Sequence, residues 1–190
     1  MSELTSVIKR IKEHEANLKT FTAAFQQTKK TSLLQQPLES KGLIYFDSRG
    51  KMLLSVTTPS PVKILFENDR MIIYYPDVSE VQERYLGGES IVKKYFGIGA
   101  SIEELRKQYT LELLPGTAAG NYHLKLTPKA KAMAKHIDII EVYVSPKHWL
   151  PERIEVRETE GDVTSILLDF TSINVSLPPD IFEIDVRENH

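Results

Sequence analysis

The sequence contains no cysteine, which excludes disulfide bonds and thiolate metal sites and leaves no cysteine in this form for lipid attachment. Long hydrophobic runs are also missing: apolar stretches such as Met71 to Tyr75 are far too short for a membrane-spanning helix. The charges are mixed, and a formal net charge of -2 gives no bias toward nucleic acid as a partner. The length of 190 residues suits one compact unit, and we predict a single domain over residues 1–190.

The sequence also lacks a recognisable catalytic or metal-binding set. The five histidines are His14, His123, His136, His148 and His190, and no two of them have the spacing of metal ligands. We find no G-x-S-x-G nucleophile elbow, and the Gly97–Ser101 segment lacks the third glycine and the lysine of a phosphate-binding loop. We therefore predict a non-enzymatic protein without a metal or cofactor. We expect His123, on the polar side of an alternating segment, to be solvated.

The clearest helical pattern runs from Glu3 to about Thr28. Its apolar stripe has three- and four-residue spacing and consists of Leu4, Val7, Ile8, Ile11, Leu18, Phe21 and Phe25. Two short helices are predicted over Ser90–Phe96 and from Ser101 to about Lys107, the second because Ser101 and Glu104 fit a capping box. A third is predicted over Lys129–Lys135, with Pro128 at its first position.

Most of the remaining chain alternates between apolar and polar residues, as expected for short strands. Eleven segments show this pattern: residues 42–46, 51–57, 62–66, 71–75, 80–85, 109–114, 121–127, 137–144, 150–158, 163–175 and 181–185. The turn-like residues between them favour hairpins over long crossovers. We predict a mainly β protein with helices (α+β), in which about eleven antiparallel strands form a curled sheet.

Several of these strands are apolar on both faces. In residues 51–57, Met52, Leu54 and Val56 share a parity and therefore a face, while Leu53 and Ser55 occupy the other. Two interpretations remain open at this stage. The strands could belong to a core buried on both sides, or one face could line a cavity between the sheet and the helices.

Ordered short motifs along nearly the whole chain resemble those of the periplasmic outer-membrane lipoprotein carriers, the LolA family. The motifs are Phe21-x3-Phe25-Gln26, Gly42-Leu43-Ile44-Tyr45-Phe46, Ile64-Leu65-Phe66, Met71 to Pro76, Leu126-Thr127-Pro128-Lys129, Leu150-Pro151-x-x-Ile154, Phe170-x-x-Ile173-Asn174 and Phe182. The resemblance implies an incomplete antiparallel barrel of eleven strands, covered by a long N-terminal helix and short inserted helices.

The resemblance also implies a function. A protein of this kind binds the acyl chains of lipoproteins, or related lipids, and shuttles them as a monomer. Its partners would be an inner-membrane release complex and an outer-membrane acceptor, and its location the periplasm. The first residues carry Glu3, Lys9 and Arg10 and no apolar stretch, which fits either a cytoplasmic protein or an exported one whose signal was removed and replaced by Met1. The resemblance implies the second. Two alternatives are a lipid- or peptide-sensing module of the envelope and a membrane-anchored acceptor on the same fold.

We predict that one set of apolar residues lines the lipid-binding cavity. It consists of Leu18, Phe21, Phe25, Ile44, Phe46, Met52, Leu54, Val56, Ile72 and Tyr74. The resemblance adds a candidate latch for a helical lid. The family carries an arginine before the second predicted strand, and Arg49 lies one residue beyond the matching position. We expect Arg49 to hydrogen-bond carbonyls or carboxylates within residues 88–107 or 128–136.

Overall fold

A computed structural model of the chain describes residues 1–85 and 100–184. The protein is mainly β, with one sheet of eleven strands. The strands are β1 (Thr20–Lys30), β2 (Leu38–Asp47), β3 (Lys51–Thr58), β4 (Val62–Glu67), β5 (Arg70–Tyr75), β6 (Glu80–Tyr85), β7 (Tyr109–Leu114), β8 (Tyr122–Pro128), β9 (Ile137–Val144), β10 (Pro151–Glu158) and β11 (Val163–Ile173). The helices are α1 (Glu3–Ala16), α2 (Ile102–Gln108) and α3 (Lys131–Ala134).

The strand order is β6-β5-β4-β3-β2-β1-β11-β10-β9-β8-β7. Neighbouring strands along most of the chain pair as antiparallel hairpins, as the short turn-like connections predict. The order begins at β6 and ends at β7, so the sheet is not closed. The fold class predicted from the sequence is confirmed.

The predicted count of eleven strands is correct, but one predicted strand is wrong and one strand was missed. Residues 20–30 form β1 rather than the end of the first helix, and residues 181–184 form a turn and an irregular segment. A four-residue spacing between Phe21 and Phe25 fits a strand as well as a helix, because four is also a multiple of two. The β-branched Thr20 and Thr22 favour the strand, and α1 ends at Ala16.

The short helices follow their local signals to different degrees. The capping box is confirmed: Ser101 Oγ accepts from the Glu104 backbone N–H at 3.1 Å, and Glu104 Oε2 accepts from the Ser101 N–H at 2.7 Å. The prediction for Pro128 is wrong, since it is the last residue of β8 and α3 begins only at Lys131. Pairing of Pro128 with Tyr109 at the end of the β7–β8 ladder extends the strand instead. The helix predicted over Ser90–Phe96 lies outside the described residues.

The contacts divide the chain into two compact units. The first unit comprises the described residues 1–17, 26–39 and 100–168, and the second comprises 18–25, 40–85 and 169–184. In the first unit, α1 covers one sheet face through a core of Val7, Leu124, Val144 and Trp149. Trp149 takes a left-handed backbone with φ 57°, stacks on Tyr122 at 5.0 Å and lies 5.5 Å below the Arg10 guanidinium. These contacts fix α1 on that unit.

The other sheet face of the first unit is charged. Glu155 is buried between two guanidinium groups, with 2.8 Å to Arg153 Nη2 and 2.9 Å to Arg157 Nη2. His123 was expected to be solvated, but its side chain is only 15% exposed and its Nε2 lies 3.0 Å from Glu141 Oε1. The cause is cross-strand stacking, because the His123 ring packs on the neighbouring Tyr143 at 4.3 Å. The charged side chains named on this face therefore pair with one another, within β10 and across neighbouring strands.

Candidate functional site

One face of the sheet in the second unit is apolar across four consecutive strands. Cross-strand partners lie on the same face, so the register defines its members. One row pairs Ile44, Leu54, Ile64 and Ile73, and the next pairs Phe46, Met52, Phe66 and Met71. Gly42, Val56 and Val62 form a third row. We call these residues, together with Phe21 and Phe25 of β1, the apolar face.

The opposite face of the same strands has a different composition. It carries Asp47, Lys51, Lys63, Glu67 and Arg70 among its apolar residues. Arg70 bonds Glu67 at 3.2 Å and the Glu83 carboxylate of β6 at 3.0 Å. The three rows of the apolar face, by contrast, contain no ionisable group. They become polar only at the edge strand, where Gln82 and Arg84 continue two of them.

Aromatic side chains from β1 pack onto this face. The Phe21 ring stacks on Phe46 at 5.0 Å and meets Phe170 edge-on at 5.2 Å. Phe25 lies over Gly42, where an added Cβ would come within 2.9 Å of the Phe25 ring and still closer to the Ser55 carbonyl oxygen. Glycine at position 42 therefore permits the close approach of this ring.

Burial varies across the apolar face in a regular way. Phe21, Phe25, Phe46 and Met52 are buried, with Phe46 only 2% exposed. The other side chains of the three rows are half-buried, and these are Ile44, Leu54, Val56, Val62, Ile64, Phe66, Met71 and Ile73. The half-buried set leaves apolar area accessible beside a packed aromatic cluster. Such a surface can accept an aliphatic ligand by removing further apolar area from water.

Seven of the ten predicted lining residues lie on this face: Phe21, Phe25, Ile44, Phe46, Met52, Leu54 and Val56. Leu18 is buried but precedes β1, so it is not a member of a helical stripe with Phe21. Ile72 and Tyr74 are a correction, because they pair with Leu65 and Lys63 on the opposite face. Because the turn between β4 and β5 has two residues, Asn68 and Asp69, even-numbered residues of β4 pair with odd-numbered residues of β5. The apolar face therefore takes odd-numbered residues from β5, although it takes even-numbered residues from β3.

Six members of the apolar face were absent from the predicted lining. They are Gly42 on β2, Val62, Ile64 and Phe66 on β4, and Met71 and Ile73 on β5. The signal that identifies the two residues of β5 is the turn between β4 and β5. A two-residue hairpin between Glu67 and Arg70 requires Phe66 to face Met71, and Asn68 tolerates the positive φ of 55° found there.

The structure counts against Arg49 as a lid latch. The Arg49 guanidinium bonds Asp47 of its own hairpin, with 3.0 Å from Nε to Oδ1 and 2.6 Å from Nη2 to Oδ2. Its side chain is 86% exposed, whereas the Asp47 side chain is 6% exposed. None of the described residues in the ranges 100–107 and 128–136 receives a hydrogen bond from it, and residues 88–99 lie outside the description.

This pair predicts a dependence of stability on pH. The hydrogen bond from Arg49 lowers the pKa of Asp47 below its ordinary 3.8. A lowered folded pKa stabilises the fold above the unfolded pKa, and that stability is lost as the pH falls through the folded pKa. We expect Arg49→Gln to be less stable than wild type at neutral pH, with the two converging in acid. Urea unfolding at a series of pH values measures this, and a constant difference at all pH values would contradict it.

Two further features were looked for in the described part of the chain. Residues 1–85 and 100–184 contain no group of three or more potential metal ligands. Among the same residues, no helix is long and apolar enough to cross a membrane.

Comparisons with known proteins agree with this picture. The sequence is 21% identical over 172 residues to an outer-membrane lipoprotein carrier protein of Hahella chejuensis, covering 90% of this chain and 80% of that one. An uncharacterized conserved protein of Thermus thermophilus has a similar fold, with a TM-score of 0.60, 11% identity and coverage of 94% and 96%. A chain of the Pseudomonas aeruginosa MucA/MucB complex also has a similar fold, with a TM-score of 0.59 and 14% identity. The match covers 97% of this chain and 62% of that one.

A family model also matches most of the chain. The profile of the outer membrane lipoprotein carrier protein LolA matches residues 16–185, which include every strand of the sheet. All eleven strands of the open sheet and all residues of the apolar face lie within that range. The chain therefore belongs to the LolA family of outer membrane lipoprotein carrier proteins.

Proposed function

We propose that the protein is a periplasmic carrier that shields the acyl chains of lipoproteins on the apolar face and shuttles them from the inner to the outer membrane. The observation that carries this proposal is the composition of that face. Its rows run across β2 to β5 without a charged side chain, and many members remain half-buried. A chain of methylene groups needs such a surface and no hydrogen-bond partner.

The energetics suit a carrier that must also release its cargo. Each methylene removed from water contributes roughly 0.8 kcal/mol, so even part of an acyl chain binds substantially. An open face covers a chain incompletely, which keeps the affinity below that of full burial. The role needs no covalent chemistry, and we propose that the protein is not an enzyme. An inner-membrane release complex would supply the cargo and an outer-membrane acceptor would receive it.

We also propose that residues 1–190 act as one carrier domain. The strands β1, β2 and β11 each contribute residues to both compact units, since unit boundaries fall at residues 25–26, 39–40 and 168–169. Separating the units would therefore cut strands of the sheet. The monomeric state and the removed signal peptide belong to the same proposal.

Extraction of a lipopeptide from a membrane tests the function. A fluorescent triacylated lipopeptide is embedded in vesicles, and the label that moves to the soluble fraction with the protein is measured after sedimentation. We expect wild type to extract the label and Leu54→Trp to extract at least several-fold less, because the indole occupies accessible space on the apolar face.

The matched control for this variant is Leu43→Trp. Leu43 is also a half-buried leucine, but it pairs with Ser55 on the opposite face. It should extract as wild type does. If Leu54→Trp is strongly destabilised, a solidly packed core is the better account of this strand. Extraction equal to wild type by a stably folded Leu54→Trp would contradict the proposal.

A further inference from the structure

The connection between β1 and β2, together with the first residue of β2, displays three exposed leucines within six residues. Leu33 is 88% exposed, Leu34 is 48% exposed and Leu38 is 55% exposed. Single exposed leucines are ordinary in soluble proteins. A cluster of exposed leucines on one connection indicates a binding surface. We call residues 31–38 the leucine loop.

The leucine loop is an ordered turn that holds its side chains outward. The Leu34 backbone N–H donates to the Thr31 carbonyl oxygen at 3.3 Å, and the Leu33 N–H donates to Thr31 Oγ1 at 3.3 Å. Thr31 thus accepts hydrogen bonds from the amides of Leu33 and Leu34, which places Leu33 at the turn. Gln35, Gln36 and Pro37 continue the loop without a charge.

Charged residues flank this uncharged segment in the sequence, three of them basic and one acidic. Lys29 and Lys30 precede it, and the acidic Glu39 and then Lys41 follow it. Lys29 is held by Glu158 at 3.2 Å and Asp162 at 3.6 Å, which ties the base of the loop to the β10–β11 turn. Lys30 is exposed and forms no ion pair within the described residues. The loop therefore has an apolar tip, with the Lys30 cation where it leaves β1 and the Glu39 carboxylate just after it.

We propose that the leucine loop docks the protein on an anionic lipid bilayer, with the leucines inserted among the acyl chains and Lys30 near the headgroups. Aliphatic side chains next to cations are the combination that holds peripheral proteins at membrane surfaces. A specific protein interface uses roughly 20–30 residues on each side. The leucine loop offers eight residues, which suits a bilayer better than a second protein.

This docking is separate from cargo binding. The leucine loop belongs to the first unit, whereas the apolar face belongs to the second. The proposal gives the chain a membrane contact of its own and does not depend on the identity of the cargo. It also predicts weak, reversible binding, because few side chains insert and the basic contribution is small.

Vesicle flotation of the full chain tests the proposal. Empty vesicles of phosphatidylcholine and phosphatidylglycerol in equal parts are compared with pure phosphatidylcholine at low and high salt. We expect the double variant Leu33→Glu/Leu34→Glu to lose at least tenfold in partition to the anionic vesicles. Lys30→Gln should lose about fivefold at low salt and little at high salt.

The control is Leu167→Glu, a leucine of the same unit that is 49% exposed on the charged face opposite Arg153. It should partition as wild type does, and circular dichroism of each variant verifies the fold. Insertion is read independently from Leu33→Trp, whose emission should be quenched by lipids brominated in the acyl chains. The proposal is overturned if the double variant floats like Leu167→Glu, or if sedimentation without lipid shows a dimer that only the double variant loses.

Discussion

Replacing Phe21 by Ala is expected to destabilise the protein by about 3–5 kcal/mol, the usual range for a buried phenylalanine. Phe21 is only 7% exposed and contacts Phe46 and Phe170 through its ring faces and edges. The variant loses the buried area and leaves a cavity where β1 meets the aromatic cluster. Equilibrium unfolding in urea measures the loss as a lower midpoint at an unchanged slope.

An exposed aromatic residue provides the control for Phe21. Tyr85 is 69% exposed, so Tyr85→Ala should change the free energy of unfolding by no more than about 0.5 kcal/mol. A double-mutant cycle of Phe21→Ala and Phe46→Ala should give a coupling of about 0.5–1.5 kcal/mol for the stacked pair. A change of less than about 1 kcal/mol for Phe21→Ala would contradict the packing described for β1.

Replacing Ile73 by Gln is expected to weaken the binding of a fluorescent fatty acid by roughly tenfold or more. Ile73 is a half-buried member of the apolar face, opposite Ile64. Burying an isoleucine is worth about 1.5–3 kcal/mol, and each 1.4 kcal/mol corresponds to about a factor of ten in affinity. The amide of Gln would also lose water without a partner when an acyl chain covers it.

The adjacent residue offers a closely matched control. Ile72 is also a half-buried isoleucine on β5, but it pairs with Leu65 on the opposite face. Ile72→Gln should leave the affinity within about twofold of wild type, since that change removes no contact from the apolar face. A titration monitored by probe fluorescence compares the two variants. A larger loss from Ile72→Gln than from Ile73→Gln would show that the cargo binds elsewhere.

The local sequence was sufficient for much of the fold. Alternation predicted most strands, and the residues of the capping box at Ser101 and Glu104 form both expected hydrogen bonds. Residues 20–30 were misassigned because Phe21 and Phe25 are spaced by four, which two kinds of secondary structure share. The β-branched Thr20 and Thr22 favour a strand, and the pairing of β1 in the middle of the sheet establishes it.

The sequence predicted which residues of a single strand share a face, but it did not predict which residues of neighbouring strands join that face. Parity placed Met52, Leu54 and Val56 on one face, and the register agrees. It failed for Ile72 and Tyr74, because the length of the turn at Asn68-Asp69 sets the register of β5. The partner of Arg49 could not be read from the sequence at all. Asp47 is two residues away, and its competition for the guanidinium depends on the geometry of the hairpin turn.

Photo-crosslinking of a lipoprotein acyl chain tests the central claim most directly. A triacylated lipopeptide with a diazirine in one acyl chain is bound to the protein, irradiated, and the labelled residues are identified by peptide mass spectrometry. We expect the label on half-buried residues of the apolar face, such as Ile44, Leu54 and Ile73. A label confined to Leu43 and Ile72 on the opposite face, or to the first unit, would contradict the account.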